Sequence, residues 1–166
     1  MVSRPSSKMR ADQGDQPRTS TSTDDVWLDN GYRIDHAHDA LKIYFIRTPQ
    51  NEVDHESFLN EDKWIKGAFD ASGLLRYVSI DEASKRLPCH LGDDPVLDVD
   101  GKMGLQMSSR YSPGADVLTI RLVDPSHHRV AVSEATLDDG IVFDFDADGL
   151  LLAIEILYAS STVRKQ

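Results

Sequence analysis

Two blocks of the chain align with two later blocks, in the same order and at nearly one offset. "IDHAHDALKIYF" (34–45) lies over "YSPGADVLTIRL" (111–122) at an offset of 77, and "FDASGLLRYVSIDEAS" (69–84) lies over "FDADGLLLAIEILYAS" (145–160) at an offset of 76. Neither alignment needs a gap, so one residue of loop length separates the two copies. This is a tandem duplication, a first repeat over 27–85 and a second over 104–161. Whatever unit one copy forms, the chain forms twice. A repeat of about 60 residues buries too little of its own surface to be secure alone. The two apolar faces are therefore expected to pack on each other.

Each repeat reads as strands. In "DVLTIRL", Leu118, Ile120 and Leu122 alternate with Val117, Thr119 and Arg121, the period-2 signature of a half-buried strand. "RVAVSEA" reads as a further strand. "IVFDFD" and "LLLAIEIL" flank a turn rich in Asp and Gly, which is a hairpin signal. Ile141, Phe143 and Phe145 fall on one face of the first arm, and Leu150, Leu152, Ile154 and Ile156 on one face of the second. Only an even loop puts both sets on the same side, so an even loop centred on residues 147–149 is expected. The opposite face then carries Asp144, Asp146 and Glu155, together with Val142, Leu151 and Ala153. Short helices are expected in "SIDEASKRL" and "ASSTVRKQ". The fold class that follows is mostly β with short helices: two tandem antiparallel β repeats packed as a pseudo-twofold sandwich or partly closed barrel of about seven to nine strands.

The segment "DFDADGLLLAIE" (144–155) also fits the calcium loop of an EF-hand, with Asp144, Asp146, Asp148 and Glu155 at ligand positions and Gly149 at the sharp turn. Its flanks argue for a hairpin instead. Gly140 and a β-branched, aromatic run precede it, where an EF-hand needs a helix. In the first repeat Asp144, Asp148 and Glu155 become Ala68, Ser72 and Ser79. Only Asp146 and Gly149 persist, as Asp70 and Gly73. What survives is what a turn needs: a carboxylate to cap backbone amides and a glycine for positive φ. No metal site is expected there.

"YSPGADVLTIRL" followed by "DDGIVFDFDADGLLLAIEILYAS" resembles the family known as domain of unknown function 2283. The shared pattern is an aromatic, a turn, Ala-Asp, an alternating strand, then an acidic hairpin ending in an Ile-Glu-Ile-like strand and Ala-Ser. The resemblance covers most of 111–160, and the first repeat matches more loosely. Ala153 stands where the family usually has Gly. The resemblance implies a small antiparallel β unit and carries no activity with it.

Residues 1–25 are polar, rich in Ser, Thr, Asp and Arg, and read as a disordered tail. Trp27 and Leu28 are the first apolar anchors. Residues 86–103 are a connector, in which "DVDG" reads as a turn. The net charge of −10 repels phosphate backbones and anionic membrane surfaces, so neither nucleic acid nor membrane is an expected partner. Cys89 is the sole cysteine, which favours a reducing compartment such as the cytoplasm.

Candidate ligand-binding residues are those unmatched between copies: Arg76, His36, His38 and Glu155. His36 and His38 lie two apart, a spacing that on a strand aims both imidazoles one way, although the matching segment "SPGAD" is a turn. Arg76 replaces Leu152 on the face expected to be buried. It then either meets solvent or faces an acidic partner or anionic ligand. No catalytic motif or cofactor signature is present, so no cofactor is expected. The leading expectation is a non-catalytic protein-interaction or ligand-binding module, with an unknown protein or small molecule as partner. The alternative is a small-molecule enzyme, of isomerase, cyclase or hydrolase type, with a site in the cleft between diverged repeats. The chain reads as a covalent pseudo-dimer, with further homo-oligomerisation left open.

Overall fold

The computed structural model describes residues 31–45, 53–92, 98–99, 101–136 and 140–163. The tail expected over residues 1–25, and the anchors Trp27 and Leu28, lie outside the described residues. The first repeat forms strands β1 (Gly31–Asp35), β2 (Ala40–Tyr44), β3 (His55–Phe58), β4 (Ile65–Phe69) and β5 (Leu75–Asp81), then helix α1 (Ala83–Arg86). The second forms β6 (Ser108–Ser112), β7 (Val117–Arg121), β8 (Val132–Ala135), β9 (Ile141–Phe145) and β10 (Leu151–Leu157), then α2 (Ala159–Thr162). Each repeat is one five-stranded antiparallel sheet. The orders are β1-β2-β5-β4-β3 and β6-β7-β10-β9-β8, which are the same order twice. The architecture is an open sandwich and the sheets do not close into a barrel. Ten strands among the described residues exceed the seven to nine expected. The edge strand β3 is exposed along its whole length and so lacks the apolar alternation that reveals a half-buried strand, while its equally exposed copy β8 is the strand expected in "RVAVSEA".

The alternating residues do what their period requires. Leu41, Ile43, Ile65, Val78 and Ile80 of the first sheet join Leu118, Ile120, Ile141, Phe143, Ile154 and Ile156 of the second in one buried cluster. Trp64 meets Phe145 of the other sheet edge-on, centroids 6.1 Å apart. Phe58 and Leu59 line one groove with Ala135 and Thr136. These are equivalent positions at offset 77, so like edges approach each other, as in isologous pairing. The connector contributes Leu87 and Cys89 to the core, and Leu105 at the start of the second repeat joins them. Val99 and Lys102 exchange backbone hydrogen bonds around Gly101, which is the turn expected in "DVDG".

The single-residue offset is located by two matched hydrogen bonds. Leu59 N–H donates to the Ile65 carbonyl, and Thr136 N–H donates to that of Ile141. The loop between β3 and β4 is therefore one residue longer than its equivalent between β8 and β9.

The two hairpins are near-copies, and both overturn the expected even loop. Phe145 pairs with Leu151 and Asp144 with Ala153, so Leu152 is left over as a bulge. Phe69 pairs with Leu75 and Ala68 with Tyr77, leaving Arg76. The turn carboxylate explains the odd loop. One Asp146 oxygen accepts from Asp148 N and Leu150 N, both at 2.9 Å, and Asp70 does the same with Ser72 and Leu74. That cap fixes five residues between the pairing partners. The bulge absorbs the change of parity, so that Ile154 and Ile156 still face inward. Leu151, expected outward, is fully buried. Leu152 and Ala153 both line the outer face.

A second matched device ties each helix to its sheet. Asp39 and Asp116 both adopt positive φ, 49° and 55°. Each carboxylate accepts from the N–H and Oγ of the first serine of the following helix, Ser84 or Ser160. Among the described residues no helix is long and apolar enough to cross a membrane.

Candidate functional site

The outer faces, where the repeats differ, are read off the registers. In the first sheet one row runs Tyr44, Tyr77, Ala68, Glu56, and the next runs Arg33, Lys42, Ser79, Lys66, Phe58. The equivalent rows of the second sheet are Arg121, Ala153, Asp144, Ser133 and Arg110, Thr119, Glu155, Val142, Ala135.

In the first sheet Tyr77 covers the middle of this face. Its ring packs on Tyr44 at 5.4 Å, Lys42 Nζ lies 4.9 Å from its centroid, and its hydroxyl donates to Glu56. Burial, and then the Glu56 carboxylate beside it, push the phenol well above its ordinary range.

In the second sheet Ala153 occupies the place of Tyr77, and the ground the ring would cover is open. A pocket of about 220 Å³ lies there. Ala153 and Leu152 form its floor, Thr119 and Arg121 of β7 one wall, and Asp144 and Glu155 the other. Val123, Pro125, His128 and Val130 close it from the segment that follows β7. The mixture of a few convergent polar groups with an apolar rim is typical of small-ligand sites, at the small end of their size range.

Asp144 and Glu155 hold diagonal positions on β9 and β10. Glu155 is pushed up to about 7 by its hydrogen bond to Asp144, then by burial and by the Asp144 charge, with Arg121 opposing. Asp144 is buried and accepts a 2.6 Å hydrogen bond from Ser133 Oγ. Two like charges this close cannot both ionise freely. Glu155 therefore changes charge near pH 7, in a place where it can donate, accept or give up a proton.

The structure separates the four residues expected from the sequence. Glu155 lines the pocket. Arg76 lies in the other sheet, in the bulge equivalent to Leu152. Its acidic partner is internal: Nε and Nη2 contact Asp70 Oδ2 at 2.9 and 2.8 Å, with the side chains 15% and 9% exposed. The bulge takes Arg76 off the buried face expected for it. Burial alone would raise Asp70, but the N–H groups of Leu74 and Ser72 and the Arg76 charge prevail and hold it below the usual carboxylate range. His36 and His38 lie in the exposed β1–β2 turn, at the opposite end of the sheet from Arg76, and His38 Nδ1 sits 2.9 Å from Asp35 Oδ2. The groove between the repeats is lined by none of the four. It carries Glu61, Asp62, Lys63 and Glu134 beside Phe58 and Phe143. Residues 141–157 form a hairpin, and among the described residues no three His, Cys, Asp or Glu side chains gather as a metal set. Cys89 is buried and its thiol is pushed up to about 11 by that burial, which leaves it inert as a nucleophile.

Arg121, Thr119, Ala153, Asp144 and His128 were not singled out as ligand-site residues by the sequence. A signal existed: three exchanges at matched positions, Tyr77 to Ala153, Ala68 to Asp144 and Ser79 to Glu155, remove a large side chain and add two acids. The sequence places these positions on one face; what it lacks is the register that sets Ala153 between Asp144 and Arg121.

A family model described as a protein of unknown function, DUF2283, matches residues 109–160, which is the second sheet from β6 to α2 without the first. The similar first sheet shows that the unit is duplicated. No curated protein and no solved structure matches the chain.

Proposed function

We propose that the chain is a non-catalytic ligand-binding module whose ligand seat is the pocket on the outer face of β7, β10 and β9. One observation carries the reading. At the position where the first sheet covers its face with Tyr77, the second sheet has Ala153, and the exposed ground holds a carboxyl pair and an arginine. Leaving a polar pocket open beside two acids that repel each other is a cost with no structural return. In this reading the first repeat is the structural copy and the second the binding copy. A reducing compartment such as the cytoplasm suits a chain whose single cysteine is a free buried thiol.

The test is a fragment screen observed by amide NMR, on the natural chain and on Ala153→Tyr, which restores the ring of the first sheet. Fragments that move the Arg121, Leu152 and Ala153 amides of the natural chain are expected to leave the variant unmoved. Fragments that bind both chains alike would remove the reading.

A second reading keeps the same pocket and makes it a small-molecule enzyme of isomerase, cyclase or hydrolase type. It is favoured by Glu155, whose pKa of about 7 suits a general acid or base at physiological pH. Turnover that follows the ionisation of Glu155 and vanishes in Glu155→Gln would establish it over simple binding.

A further inference from the structure

The pocket has two electrical ends. Asp144, Ala153 and Arg121 are successive partners across β9, β10 and β7, so the acid and the guanidinium stand on either side of a floor made by a methyl group. Two strand spacings, roughly 9–10 Å, separate their backbones, and both side chains line the cavity between them. Glu155, beside Asp144, doubles the acidic end. Val123, Val130 and Leu152 supply an apolar surface next to this axis. A simple cation would leave Arg121 repelled, and a simple anion would leave the carboxyl pair repelled.

We propose that the pocket takes a small zwitterion of the α-amino acid class, its ammonium group bridging Asp144 and Glu155, its carboxylate on Arg121 and an aliphatic side chain against the valine and leucine wall. This deepens, and rests on, the reading of the pocket as the ligand seat. The ammonium brings three N–H donors and a full positive charge to a place where two acids stand together. On binding, the Glu155 proton leaves for solvent while the ligand keeps its own protons, so charge and atoms balance. The charged and titratable groups around Glu155 are Asp144 on β9, Arg121 and Arg110 on β7 and β6, and His128 on the covering segment. The two arginines favour loss of the proton, and Asp144 opposes it until the ammonium arrives.

The experiment uses the full chain and three probes with related skeletons: L-valine, isobutylamine, which lacks the carboxylate, and 3-methylbutanoate, which lacks the amine. Binding is followed by amide NMR at Ala153 and Arg121, and proton release by calorimetry in buffers of different ionisation enthalpy. L-Valine is expected to bind about tenfold or more tightly than either truncated probe, since each lost charge-assisted hydrogen bond is worth about 1.5–3 kcal/mol. Nearly one proton is expected to leave per L-valine bound at pH 6 and almost none at pH 8.5, as linkage to a group titrating near 7 requires. Arg121→Gln should bring L-valine down to the affinity of isobutylamine, and Glu155→Gln should abolish the proton release. Both variants should keep the natural thermal unfolding profile at about pH 4.5, where folded Glu155 is still neutral. Isobutylamine or 3-methylbutanoate binding as tightly as L-valine would overturn the zwitterion while leaving the pocket as a ligand seat. If none of the three moves the pocket amides and the fragment screen is also blank there, the ligand seat itself fails with it.

Discussion

The outer faces of the two sheets share a backbone, a register and a bulge, and differ in what covers them. On the first, Tyr77 lies across the face, bonded to Glu56 and flanked by Tyr44 and Lys42. The bulge residue Arg76 folds onto Asp70. On the second, Ala153 and Leu152 leave the ground bare, and two acids face an arginine across it. Most inward positions diverged little, because each must fill the same core and a volume change there is felt at once; the exception is Gly67, which stands where the second sheet has Phe143. Outward positions were free to trade a structural ring for a polar pocket. The comparison predicts where substitutions should act on one copy more than on the other.

The largest asymmetry is expected at the hairpin aspartates. Asp70→Ala removes two turn hydrogen bonds and the ion pair with the mostly buried Arg76, while Asp146→Ala removes only the turn bonds. Urea unfolding should give a loss of about 3 kcal/mol for the first and about 1–2 kcal/mol for the second. Equal losses would mean that the Arg76–Asp70 pair adds nothing. Arg76→Leu, which copies the second repeat, should cost less than Asp70→Ala, because Asp70 keeps its backbone donors as Asp146 does. The sign with pH follows from the lowered Asp70. Its contribution is complete above the ordinary carboxylate value of 3.8 and is lost as pH falls through its lower folded value.

The helix ties come next. Asp116 makes the bonds that Asp39 makes and accepts one more, from Tyr111 Oη at 2.8 Å, where the first repeat has Ile34. Asp116→Ala should therefore cost about 2 kcal/mol and exceed Asp39→Ala by about 1 kcal/mol, the ordinary worth of one hydrogen bond. Tyr111→Phe in a double-mutant cycle should account for the difference. A cycle energy near zero would mean that the tyrosine bond is idle.

The duplication, the sandwich, the hairpins and both short helices were legible, because each rests on local pattern or on direct comparison of the copies. Strand β3 was not, since nothing apolar marks that edge strand as half-buried, whereas its copy β8 was legible in "RVAVSEA". The bulge was not legible either. Parity counts residues, and a bulge changes the count by one without changing any residue type, so Leu151 and Arg76 were assigned to the wrong faces. Of the pocket, only Glu155 was visible as a ligand residue, through its mismatch with Ser79. The rest depends on rows running across three strands, which bring together residues 119–121 and 144–155 from distant parts of the chain.

The carboxyl pair gives a smaller effect with its own sign. Glu155 is raised from 4.5 to about 7 on folding, so between those values the native state holds a proton that the unfolded state has released. Stability should therefore decline as pH rises from about 4.5 through 7. After allowance for solvent screening the decline is on the order of 1–2 kcal/mol. Thermal unfolding across that range should show it in the natural chain and not in Glu155→Gln. Ser79→Glu would set an acid between Lys66 and Lys42 and diagonal to Ala68, with no second carboxyl in the place of Asp144, and is expected not to reproduce it. A similar decline in Ser79→Glu would mean that burial, and not the pairing with Asp144, raises Glu155.

The smallest expected difference is none at all. Gly73 and Gly149 hold φ of 85° and 80°, and an added Cβ meets nothing within 4 Å at either. Substitution by alanine then carries only the backbone strain of the left-handed region and the lost freedom of the unfolded glycine, about 1 kcal/mol. No neighbouring side chain enters, so the chemistry that separates the two outer faces should not register. Gly73→Ala and Gly149→Ala are expected to match within a few tenths of a kcal/mol by chemical denaturation, the range for surface changes with equal surroundings. A clear inequality would show that Arg76, folded over the first turn, constrains its backbone as well as its charge. The hairpins would then have diverged in rigidity, and not only in what they present to solvent.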